Sequence, residues 1–554
     1  MKSQKYFYPS WLLLLVFVLL AGCVPLQPAP EAAAPPSDMQ GLTADVIGTV
    51  DFPTSCSAEA QSEFTRGVAL LHSFYFPPAI SSFESALDLD PTCAMAHWGI
   101  AMSRLGIPWS PTPDEAVAAG KVNVEQALAL GGQTDREQAY VDAIAAFYND
   151  ADGQTFGERA KAYEAAMAQL VQDFPDDKEG QIFYALALLI TGTPPDKEYT
   201  NQYKAMAILD PLFSALPHHP GIPHYLIHSH DVPALAEGGM DAALVYADIA
   251  PAAPHAQHMP SHIFTRRGLW HESVASNQVG VEAAKGMLPA DAPAGTTNED
   301  ALHAQDYMMY GYLQLALDSE PKALLDEINA ITTAGGGFGS AYALAAIPAR
   351  YVLERKAWDE AAALTLSPYS FAWDRFPHAE AILVFARGLG AARAGDVATA
   401  NAANDRLAAI HEALVAANNG YWAGQVAIGQ LEVAAWVALA AGDQAEALRL
   451  MQEATVAEDL TEKHPVTPGP IKPAHELLGE MHLELGDPAA ALAEFETAQG
   501  IEPNRFWGWY DAAKAAEQAG DLEKAKGYYS TLVEMVGADS TRPEVAEAQA
   551  FLAR

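Results

Sequence analysis

The 554-residue chain is poor in cysteine, in positive charge and in anything that reads as a β-strand. Its three cysteines exclude a fold built on a disulfide framework. Lys and Arg total 31 against 70 Asp and Glu, a formal charge of −39. A surface of that sign repels phosphate backbones, which excludes nucleic acid as a partner. No Val/Ile-rich alternating segments bounded by turns occur, so strands are expected to be minor. Nucleotide and hydrolase signatures are missing as well. The glycine stretch from Gly335 to Ser340 lacks the phosphate-loop lysine and a preceding strand, and no G-x-S-x-G elbow occurs. No nucleotide cofactor is therefore expected. His271-Glu272 and His475-Glu476 begin like HExxH but have no second histidine.

Long apolar runs are also scarce. Lys2 and Lys5 precede an unbroken run from Trp11 to Ala21, too short to span a bilayer but suited to the core of a secretory signal. It ends in Leu20-Ala21-Gly22-Cys23, which resembles the lipobox of bacterial lipoproteins. That resemblance implies a lipidated Cys23, an extracytoplasmic location and attachment to a membrane surface by lipid, with no spanning helix. From Val24 to Gln40, five prolines lie among alanines and polar residues, a composition that favours an extended tether. Cys56 and Cys93 remain as an even pair. In an oxidising compartment they form a disulfide; two buried free thiols are the alternative.

The rest is built from a helical repeat. Residues 64–91 show helical spacing of apolar and small residues, interrupted at Pro77-Pro78 and stopped by Pro91. Gly67, Ala79, Phe83, Ala86 and Pro91 resemble the small, aromatic and proline positions of the tetratricopeptide repeat. Gly486-Asp487 and Gly520-Asp521 lie one 34-residue period apart, with Ala491 and Ala525 five residues after each glycine and Phe495 and Tyr529 nine after it. Gly395-Asp396 and Gly442-Asp443 carry the same spacing to Ala400 and Ala447. The expected fold is all-α: a right-handed superhelical solenoid of TPR-like helix pairs. Its segments are a signal peptide (1–22), a lipidated terminus and tether (23–50), N-terminal repeats (51–200), a histidine-rich block (201–320) and C-terminal repeats (321–554). Residues 461–473, with four prolines, read as a surface loop.

Histidine is concentrated. Nine of the 17 fall between His218 and His271. His224 and His228 are four apart, Asp231 extends their stripe, and His258 and His262 are again four apart. The second pair follows the first by 34 residues, the repeat period, so both are expected at equivalent places on neighbouring first helices. The next first helix adds His303 and Asp306. His230 and His255 are expected as outer partners that orient metal-bound imidazoles. Mixed imidazole and carboxylate ligands suit a divalent transition metal such as zinc, iron or copper. Two other readings remain open at this stage: histidines that serve packing alone, and a groove that binds an acidic or aromatic ligand without metal.

The stretches LDPTCAMAHWGIAMSRLG (89–106), HPGIPHYLIHSHD (219–231), PHAQHMPSHIFTRRG (254–268) and IKPAHELLGEMHLELG (471–486) resemble a group of bacterial exported TPR proteins. That group tends to carry glutamate where this chain has Asp231, and a His-Asn-x-His-like element where it has His303-Ala304-Gln305-Asp306. The resemblance implies a fold and a location, not an activity. Two functions are compatible with the residues. One is a binding or scaffolding module that takes a protein or peptide in its groove, with the metal alongside. The other is a metal-dependent enzyme, a hydrolase or an oxygen-handling protein, that uses the same histidines.

Overall fold

The computed structural model describes residues 42–149, 153–368, 370–537 and 540–554. The signal sequence, Cys23 and the Pro-rich tether up to residue 41 lie outside these. Among the described residues no strand forms, and the β-structure is one isolated bridge between Thr296 and Thr333.

The glycine-aspartate turns explain how one helix follows another. Gly395, Gly442, Gly486 and Gly520 all take φ near +80°, a left-handed conformation that ends a helix without steric penalty. The aspartate that follows each glycine then caps the next helix. Asp396, Asp443, Asp487 and Asp521 each accept from the backbone N–H three residues on. Close approach within a pair is set by small residues. A Cβ on Gly479 would lie 2.6 Å from the Phe495 ring, and Phe83 is wedged in the same way between Gly67 and Gly99. The pairs run from Ala58–His72 with Phe76–Leu89 to Phe506–Ala519 with Leu522–Val536, and Pro543–Leu552 packs on the last of them. First helices also touch the next first helix: Glu299–Gln314 packs on Phe338–Leu353, which packs on Pro377–Ala394. This is the packing of a helix-pair solenoid. Cys56 and Cys93 form a disulfide with Cα atoms 5.0 Å apart, tying the residues before the first pair to the start of the second.

Three expectations are corrected. The tether does not extend to residue 50. Leu42 and Ile47 are buried, and the Thr49 amide donates to the His218 carbonyl at 2.9 Å, because this short apolar stretch finds a hydrophobic seat on the repeats. Residues 461–473 are not a surface loop. Arg350 donates to the carbonyls of Gly469 and Pro470, both at 2.8 Å, and Tyr307 donates to that of Thr467. The backbone of this stretch thus finds donors inside the groove and fills part of it. Finally, Gly420–Ala440 is long and apolar enough to cross a membrane by length and composition, whereas no run of spanning length was expected after the first residues. Here it packs between Val397–Ala416 and Gln444–Asp459.

The buried apolar residues fall mainly into one block from Leu42 to Phe264 and another from Trp270 to Met481. The histidine-rich helices lie where these blocks meet.

Candidate metal centre: two adjacent three-histidine clusters

His224 and His228 are on Gly221–His230, which starts after Pro220 and tolerates Pro223 in its first turn. His255 and His258 are on Pro254–His258, His262 is on Pro260–Arg266, and both of these helices open with proline. The backbone stays helical through Met259, so the two segments act as one bent first helix, in register with the preceding one. His303 comes from Glu299–Gln314.

The side chains form two groups: His224, His228 and His255, and next to it His258, His262 and His303. In the first, the His224 Nε2 lies 3.1 Å from the Nε2 atoms of both His228 and His255. In the second, the Nε2 atoms of His258 and His262 are 2.9 Å apart, and the His303 ring centroid is 4.4 Å from that of His258. The groups adjoin, with centroids of His228 and His262 5.6 Å apart. Three imidazole nitrogens on a tetrahedral ion at about 2.0–2.1 Å would be separated by about 3.3 Å. The observed spacings are close to that value.

The opposite ring nitrogens decide where the protons are. His224 Nδ1 faces the His72 carbonyl at 2.6 Å, an acceptor only, so this nitrogen is the donor. His262 Nδ1 donates to Asp231 Oδ2 at 2.8 Å. His258 Nδ1 donates to Asn277 Oδ1, whose amide nitrogen is already turned toward the Ser273 carbonyl. In a neutral imidazole with its proton on Nδ1, Nε2 is a bare lone pair. His258 and His262 therefore point two lone pairs at each other across 2.9 Å with no proton between them. Both rings are held neutral. Burial pushes His258 down to about 4 and His224 down to about 3, and burial together with neighbouring imidazoles lowers His228, His255, His262 and His303. Two facing lone pairs repel; a cation between them turns the repulsion into coordination.

A third group shows the contrast. His72 and His219 each bond Glu179, at 3.0 and 2.9 Å, while Tyr225 and the Gly221 amide serve their other nitrogens. Every proton there has an acceptor. The Glu179 carboxylate is drawn down to about 2 against its burial by the two imidazoles. This group is a structural staple, and its His72 carbonyl is the acceptor that sets the His224 tautomer.

Several expected roles move. His255 joins the first cluster rather than standing outside it. His230 stands apart, its Nδ1 bonded to the Leu226 carbonyl of its own helix and its ring against Gly238. Two residues beyond His228 is a rotation of roughly 200°, which turns it to the other face. Asp231 stands outside both three-histidine groups: its Oδ2 receives His262 Nδ1 and the Lys463 ammonium. Asp306 pairs with Arg350 at 3.1 Å and so fixes the guanidinium that holds residues 469–470. Lys463, Asn277 and Tyr307, whose hydroxyl lies 3.2 Å from His262 Nδ1, went unnoticed in the sequence. Burial pushes Lys463 down to about 8 although Asp231 beside it pulls the other way.

Against known families, residues 473–505 match the tetratricopeptide repeat. The chain contains a TPR. That match covers Ala474–Glu484 with Pro488–Ile501, the pair whose Gly479 and Phe495 interlock. Among solved structures, the chain is similar to the TPR domain of P58(IPK), at 12% identity over 90% of this chain and 99% of that one, TM-score 0.19. It is also similar to yeast Tom70, at 11% identity over 89% and 95%, TM-score 0.34. No curated protein sequence matches.

Proposed function

We propose that this protein is a lipid-anchored, extracytoplasmic helical-repeat scaffold that carries a pair of divalent transition-metal ions, one in each three-histidine cluster. The observation that carries the metal reading is the pair of facing lone pairs on His258 and His262, both tautomers being set by outer acceptors. All-nitrogen ligands suit zinc, copper or iron over calcium or magnesium. The Cys56–Cys93 disulfide supports an oxidising compartment, as does the lipobox-like Leu20–Cys23 stretch. The helix pairs with their TPR support a protein-interaction scaffold. A protein or peptide partner docks on the helix-pair surface left beside residues 461–473.

The space lined by His228, Asp231 and Lys463 is about 10 Å³, room for about one water. That size favours an ion held for structure, or contact with a molecule as small as water or dioxygen, over hydrolysis of a bulky substrate at this point.

Two measurements test the reading. Protein purified without a histidine tag is expected to carry close to two transition-metal ions per chain. Metal-free protein that takes up no zinc, copper or iron at neutral pH would overturn the metal reading. Cys23→Ala is expected to move the protein from the membrane fraction to the soluble one; continued sedimentation after a salt wash would overturn the lipid anchor.

A further inference from the structure

Residues 461–473 also line a cavity of about 410 Å³. Such a volume suits a small organic ligand. One wall is aromatic and aliphatic: Trp422 stacks on His378 with centroids 4.9 Å apart, and Ile382, Phe385, Val426 and Ile471 continue it. Burial keeps His378 neutral at neutral pH, pushed down to about 3, so this stack is an uncharged π-surface.

Not every polar group around the cavity has a partner. Its cations all have carboxylates of their own: Lys197 pairs with Glu462, Arg266 with Glu502, Lys463 with Asp231 and Lys472 with Glu476. Two carboxyls, those of buried Glu432 and half-buried Glu458, have no cation within ion-pair distance, although Lys472 and His475 act on them from further off. Glu458 accepts only the Ala474 amide, and Glu432, 3% exposed, has an Oε1 with no hydrogen-bond partner at all. Both line the cavity. An unsatisfied buried carboxyl is costly, and such sites are completed by a donor from outside. Two carboxyls cannot supply the six to eight oxygens calcium requires, and much of the remaining lining is apolar. A cation over an aromatic face is attracted to it, and an ammonium supplies the missing donors.

We propose that this cavity binds a small organic cation, a primary or substituted ammonium on an apolar or aromatic body, with Glu432 and Glu458 receiving the charged head and Trp422 the body. None of the six cluster imidazoles lines the cavity, and the proposal does not depend on whether they hold metal. Protonation fits the same picture. Burial raises Glu432 well above the usual carboxylate range and Glu458 to about 7, so an arriving ammonium displaces protons from the pair.

The probe is 2-phenylethylamine, titrated calorimetrically into the full-length protein, with 2-phenylethanol as its neutral counterpart and calcium chloride as the inorganic cation. The amine is expected to bind at least about tenfold more tightly than the alcohol, since only it meets the carboxyls as a charged donor. Glu432→Gln, which leaves no broken hydrogen bond behind, is expected to weaken the amine by about tenfold or more while leaving the alcohol and the metal content unchanged. Equal binding of amine and alcohol, saturable binding of calcium alone, amine affinity indifferent to E432Q, or no uptake of the amine at millimolar concentration would each overturn the proposal.

Discussion

The Nε2 atoms of His258 and His262 are 2.9 Å apart, while both Nδ1 atoms are spent as donors to Asn277 and Asp231. A one-turn His-x-x-x-His pair brings two imidazoles together in many helices. What distinguishes this one is that its outer acceptors fix both protons on the far sides, leaving an arrangement suited to a cation.

Ligand roles are separable by substitution. His255→Ala is expected to remove about one metal equivalent, and His262→Ala the other. His230→Ala and Asp306→Asn should keep both ions, because the first side chain bonds within its own helix and the second holds Arg350. Quantitative elemental analysis of the four variants checks this. Loss of metal from His230→Ala, or full retention in His255→Ala, would reverse the assignment.

Asp231 acts one step out. Asp231→Asn keeps the shape but weakens the hydrogen bond that fixes the His262 tautomer, and it leaves the Lys463 ammonium without its carboxylate. Metal affinity of the second cluster should fall by about 10- to 100-fold, with the first cluster little changed. Competition against a chromophoric chelator resolves the two sites.

Much of this centre was legible in the sequence, because the 34-residue offset between His224/His228 and His258/His262 is a repeat period and places both pairs on neighbouring first helices. The solenoid was legible for a related reason: Gly486-Asp487 and Gly520-Asp521 signal a turn and a cap locally. Residues 461–473 were not. Their four prolines read as surface, and their burial depends on Arg350 and Tyr307, more than a hundred positions away. Asp306 was misread for the same reason, since its partner Arg350 lies on the next first helix. Periodicity shows which residues share a face, but not which distant side chain reaches them first.

Acid should act on the metal-free protein first. The cluster imidazoles have folded pKa values below the unfolded value of about 6.5, so the unfolded chain binds more protons. Their contribution to stability is complete above about pH 6.5 and is lost as pH falls below it, toward about 4 for His258 and about 3 for His224. The chelator-stripped protein should therefore melt at progressively lower temperature between pH 7 and pH 4. Metal should shift that decline to lower pH, since ions and protons compete for the same nitrogens. A melting temperature independent of pH and of metal across this range would contradict the neutral-cluster account.

The disulfide makes a separate demand. Cys56 and Cys93 are 37 residues apart in sequence, and on the chain-entropy model such a closure contributes about 3–4 kcal/mol. Cys56→Ser with Cys93→Ser should lower the urea midpoint accordingly and leave metal binding intact, because neither cysteine touches a cluster. A reductant should have the same effect on the wild type and none on the double variant.

The central claim is that each group of three imidazoles encloses an ion, and anomalous scattering from crystals of the untagged protein tests it most directly. An anomalous difference map recorded above the absorption edge of the metal present is expected to show two peaks per chain. One should lie among the Nε2 atoms of His224, His228 and His255, the other among His258, His262 and His303, and none at His72, Glu179 and His219. A map without peaks at either cluster, from crystals grown at neutral pH with the metal supplied, would contradict it.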